Sequence, residues 1–130
     1  MAFLSINEQD VLENTALNIV FREREIHQYQ LNIDNYNFIL SNLPQGDIPS
    51  DISQYIGSST EDLPFFLSDT VFQQITDYQY RNRVRDLIRS EKTEQNKSKH
   101  LLEALKAQIP ADQLETLVAA ALAKINAPSA

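Results

Sequence analysis

Thirty-nine residues, Ser5 to Leu43, pass without a glycine or a proline, and an apolar side chain returns at every seventh position: Leu12, Ile19, Ile26, Ile33 and Leu40. That pattern predicts one long helix with an apolar seam. Ser5 and Glu8 have the S-x-x-E spacing of a capping box at its start. Leu43-Pro44 supplies its stop, because a residue before proline is pushed out of the helical region. At 1.5 Å per residue such a helix is roughly 58 Å long. A compact domain of this chain length would be roughly 36 Å across. The helix therefore breaks, or the fold is extended, or other subunits cover the overhang.

The seam is uneven. With Leu12 to Leu40 as the first heptad line, the second line reads Thr15, Arg22, Tyr29, Tyr36 and Leu43. Its later turns are the better filled, so Ile19, Ile26, Tyr29, Ile33, Tyr36 and Leu40 form the candidate oligomer seam. A further line, Leu17, Leu31 and Phe38, is interrupted by Arg24. Together these lines are wider than a two-stranded seam needs and favour a bundle. The competing assignment is the core of a monomeric bundle.

Residues 44–67 hold all the punctuation short of the C-terminal helix: Pro44, Gly46, Pro49, Gly57 and Pro64. Ser50 to Ile56 could make two helical turns, capped by Ser50 and ended at Gly57. The segment is too apolar for a free linker, and connections of this length are often functional. It reads either as a lid folded over the core or as a docking surface for another protein, with Ile56, Phe65 and Phe66 as anchors.

A second helix is expected over 68–109, capped by Ser68 or Asp69. Arg89 to His100 contains no apolar side chain. The lines Ile88, Gln95, Leu102, Ile109 and Val84, Glu91, Ser98, Leu105 nevertheless stay in register across this gap. The gap then reads as polar layers inside a continuous coiled coil. The last helix, 110–127, has Leu114, Leu117, Val118, Ala121, Leu122 and Ile125 on one face, with Pro110 in its first turn and Asn126 and Pro128 at its end. Ala119, Ala120, Ala121 and Ala123 allow another helix to approach closely.

The chain has 130 residues and no cysteine. One helical domain is expected, without disulfides or thiolate chemistry. No apolar run approaches the roughly 18–20 residues of a membrane span, and no secretory leader is evident. The net charge of −7 is unevenly placed: residues 1–69 hold 11 acids and 2 bases, residues 70–109 hold 5 acids and 8 bases. Acidic and basic parts can pair within a chain or between chains. Arg81, Arg85, Arg89 and Lys92 share one helical face as an electrostatic stripe. The acidic remainder argues against nucleic acid as its partner.

Glu23 and His27 could share a metal, but no further ligand cluster accompanies them, and a solvated pair is the simpler reading. His100 reads as solvent-facing. No phosphate loop, G-x-S-x-G or HExxH is present. The expectation is an all-α, elongated, coiled-coil-like bundle with no catalytic, cofactor or metal site and no small-molecule substrate. Functionally it reads as a structural or assembly subunit that associates with itself and with other subunits. It would be cytoplasmic, or part of a particle assembled there, such as a virion. A binding adaptor or assembly chaperone using 44–67 is the alternative, and a nucleic-acid-binding regulator comes third.

Overall fold

The first helix starts from Asn7. Its Oδ1 accepts from the Gln9 amide at 2.9 Å, and its carbonyl accepts from the Val11 amide at 3.1 Å. These contacts occupy donors that a helix start leaves unpaired. The computed structural model describes residues 7–126. Ser5 and Pro128, expected at the outer ends of the first and last helices, lie outside them. The first helix, α1, runs Glu8–Ser41, with Glu8 and Asp10 where the helix dipole favours acids. At its end Asn42 and Leu43 donate to the carbonyls of Ile39 and Leu40, both at 3.1 Å, tightening the last turn. The Ser41 hydroxyl and the Asn42 amide donate to the Phe38 carbonyl, and Gln45 Nε2 donates to the carbonyls of Leu40 and Leu43. Polar side chains thus close the helix ahead of Pro44 without any glycine.

The second helix, α2, is unbroken over Asp69–Lys106. Ser68 is its cap: the hydroxyl accepts from the Val71 amide at 3.2 Å and the carbonyl from Phe72 at 2.9 Å. The third helix, α3, covers Ala111–Asn126. The Pro110 carbonyl accepts from Gln113 and Leu114, so Pro110 stands just before the first turn rather than in it. The chain is all-α, with two long helices and one short one, and no strand occurs among the described residues. No helix among them is long and apolar enough to cross a membrane.

The chain divides into two compact units, Met1–Gln30 with Thr93–Ala130, and Leu31–Lys92. Helices α1 and α2 contribute to both. In the first unit Ala16, Ile19 and Val20 of α1 meet Leu102 of α2, Ile109, and Leu117 and Ala121 of α3. Thr15 is buried there, and its hydroxyl donates to the Val11 carbonyl at 2.9 Å, which satisfies it within its own helix. Leu114, Val118 and Ile125 pack on this cluster, whereas Leu122 at the edge of the α3 face is exposed. In the second unit Ile33 of α1 meets Val84 and Ile88 of α2, with Tyr36, Ile39, Leu40 and Leu43 against them.

The polar stretch of α2 carries buried polar layers. In the first unit Gln95 is buried and donates to the Ile26 carbonyl at 3.3 Å and to Gln30 Oε1 at 3.0 Å. Ser98 is also buried and donates to Glu25 Oε1 at 3.1 Å, while Arg22 holds the other carboxylate oxygen at 2.9 Å. A buried donor left unpaired costs about 1–3 kcal/mol. Each of these has a partner supplied by α1, so the helix continues through a segment that brings no apolar surface. Gln95→Ala should destabilise the protein by about 1–2 kcal/mol in urea unfolding, because it removes both Gln95 bonds to α1 and opens a void. Gln95→Leu should stay within about 1 kcal/mol of wild type, since an apolar replacement removes the buried donor as well.

The oligomer seam read from the sequence lies within these cores. Ile19 and Ile33 are buried, Ile26 packs on the first cluster, Tyr36 and Leu40 on the second, and Tyr29 is half-buried. The chain's own α2 and α3 cover the apolar line. Heptad spacing marks a face that must be covered but is silent on whose helix covers it. Leu31 and Phe38, from the parallel line, remain exposed.

Candidate functional site

The connection between α1 and α2 carries two short 3-10 turns, η1 at Ser53–Tyr55 and η2 at Thr60–Asp62. The two helical turns expected over Ser50 to Ile56 shrink to η1. The Ser53 hydroxyl bonds the Ser50 carbonyl at 3.1 Å, and the Pro49 carbonyl takes the amides of Ile52 and Ser53. Serines compete with helical bonding in this way. Ile52 is buried, and Ile48, Tyr55, Ile56, Leu63 and Leu67 are each partly covered.

Two side chains of α2 tie this connection down, all within the second unit. Gln79 Nε2 donates to the carbonyls of Ser58 at 2.6 Å and Tyr55 at 3.3 Å. Arg81 Nη1 donates to the carbonyls of Gly46 at 2.5 Å and Pro44 at 3.2 Å, and its guanidinium lies 4.7 Å from the centre of the Tyr78 ring. Arg81 is buried, 4% exposed. It therefore leaves the basic stripe in which the sequence placed it, because a planar fork of donors suits paired carbonyls better than water here. Its Nε is buried and finds no hydrogen-bond partner among the described residues. The signal was present: Arg81 stands one heptad before Ile88 on the line that continues through Gln95, Leu102 and Ile109. Gln79 carried no such signal, since its targets are backbone carbonyls.

Phe65 and Phe66 escape this cover. The Leu67 amide donates to the Pro64 carbonyl at 3.3 Å, making a turn with the two phenylalanines at its centre. Phe65 is 99% exposed and Phe66 73%. Their ring centroids are 6.2 Å apart at 74°, an edge-to-face pair. The turn is bracketed by Ser59, whose hydroxyl accepts from the Glu61 amide at the start of η2, and by the Ser68 cap of α2. Two large rings thus face solvent on a segment whose backbone is held on both sides. Ile56, named with them from the sequence, is instead half-buried in a separate cleft of about 430 Å³ lined mainly by Ser58, Ser59, Thr60, Gln79 and Arg83.

The connection itself carries acids only, although Glu61 shares the Ile56 cleft with Arg83 of α2. Residues 44–69 contain Asp47, Asp51, Glu61, Asp62 and Asp69 and no base, and all five acids are exposed. On α2 of the same unit Arg85, Arg89 and Lys92 are exposed on one face, and Arg89 bonds Asp86 at 3.2 Å. Glu23, His27 and His100 are exposed, and among the described residues no three His, Asp or Glu side chains gather as a metal site requires. In the first unit Leu17, Leu117, Ala120 and Ala121 line a groove of about 420 Å³, with Asp10 and Glu13 also in its lining.

Comparison with family models, with curated proteins and with solved structures finds no match for this chain.

Proposed function

We propose that the chain is a non-enzymatic assembly subunit that joins other protein subunits through the Pro64–Leu67 turn. The observation that carries this reading is the exposure of Phe65 and Phe66 on a backbone held by Gln79, Ser59 and Ser68. Folding leaves isolated apolar side chains at the surface routinely, but adjacent aromatic rings on a fixed turn are the form of an interface anchor. Aromatic side chains contribute large contact area at small entropic cost, and prior ordering of the loop lowers that cost further. The long helices then act as the frame that holds the turn, while the connection takes the joining role.

Site-specific photo-crosslinking tests the reading. A photoreactive benzoylphenylalanine replaces Phe65 or Phe66 in the protein expressed in its native source, and an exposed position on α1, Asn18, serves as control. Irradiation should give discrete protein adducts at positions 65 and 66 and none at 18. Absence of adducts at 65 and 66, or the same pattern at all three positions, would overturn it.

A further inference from the structure

We infer that the partner seated on the Phe65–Phe66 turn is a second copy of this chain, paired so that the acidic connection of each protomer lies against the Arg85–Lys92 face of the other. This deepens the proposed docking role of the turn and rests on it. Glu61, Asp62 and Asp69 flank the rings in sequence, and none of the three makes an ion pair among the described residues. Arg85 and Lys92, seven apart on α2 and exposed, make none among the described residues either. Both sets belong to the same compact unit, so one chain displays together acids and bases that form no ion pair among the described residues. A two-fold axis uses both at once, because in such an interface every contact is made twice.

The sizes agree with this arrangement. A phenylalanine buries about 150–250 Å², so four rings across the axis remove roughly 600–1,000 Å² from water. That is about half of a standard interface of roughly 1,200–2,000 Å², with the charged rims left to supply the remainder. The rim charges fix register and orientation, and the rings supply most of the affinity. A second copy presents the required cations beside the acids, whereas an anionic lipid surface would meet five exposed carboxylates of its own sign.

The test is sedimentation velocity on the full chain across the micromolar range, at low and at high salt. Wild type should shift from monomer to dimer as concentration rises, and back toward monomer as salt rises. E61K/D62K and R85E/K92E should each raise the dissociation constant about tenfold or more, as should F65A/F66A. The fourfold variant E61K/D62K/R85E/K92E restores opposite signs across the axis and should dimerise again. Wild type that stays monomeric at low salt and high concentration overturns the inference, as does a dimer indifferent to both charge reversals, or a folded fourfold variant that stays monomeric. A monomeric wild type whose position-65 adducts contain a different protein overturns only the second-copy inference, and the docking role stands. Absence of adducts at 65 and 66 removes both.

Discussion

Ile19→Asp is expected to leave the first unit unfolded, with loss of its cooperative transition in circular dichroism. Ile19 has no exposed surface and sits among Ala16, Val20, Leu102, Leu117 and Ala121. A carboxylate there has no cation in the cluster to pair with. Burying it unpaired costs several kcal/mol after relaxation, comparable with the roughly 5–15 kcal/mol by which a domain is stable. The truncation Ile19→Ala should cost about 2–5 kcal/mol, as a buried branched side chain does when it leaves a cavity. Asn18→Asp, one residue earlier and exposed, should change stability by less than about 0.5 kcal/mol. A folded Ile19→Asp protein with wild-type stability would show that this seam is not core.

Arg81→Ala should lower stability by about 2–4 kcal/mol and free the start of the connection. The substitution removes the donors to the Pro44 and Gly46 carbonyls, the stacking on Tyr78 and the packing of the aliphatic stem. Arg81→Lys keeps the charge but cannot span two carbonyls with one planar group, so it should recover less than half of the loss. Two readouts separate local from global effects. The urea midpoint reports the whole transition. Limited proteolysis should show faster cleavage between Pro44 and Gly57 at a denaturant concentration where α2 is still folded. Unchanged cleavage in both variants would mean that Arg81 does not hold the connection.

Much of this fold was legible because burial follows period. The line Ile88, Gln95, Leu102, Ile109 is buried throughout, including its polar member, and the expected continuity of α2 through 89–100 follows from it. The apolar line of α1 is buried at Ile19 and Ile33 for the same reason. Three things were missed or misread. Periodicity marks which face of α1 is covered, yet the same heptads serve a partner chain or the chain's own α2 and α3. Arg81 was assigned to the surface by its charge, although its place on the core line pointed inward. The short turns of 44–67 depend on carbonyls meeting Gln79 and Arg81, contacts between residues 21 to 37 positions apart that local composition does not encode. The sequence names Ile56, Phe65 and Phe66 together as anchors of a segment too apolar to be a free linker; only the two rings are exposed, while Ile56 is half-buried.

The measurement that bears most directly on the account is the unfolding free energy of F65A/F66A against wild type, taken in urea at the lowest workable protein concentration. If the rings are presented to a partner rather than built into the core, their removal should cost the isolated chain less than about 1 kcal/mol, little beyond their mutual contact. A loss of about 3–5 kcal/mol or more in the double variant, the usual cost of removing even one buried phenylalanine, would place a ring inside the fold and contradict the account.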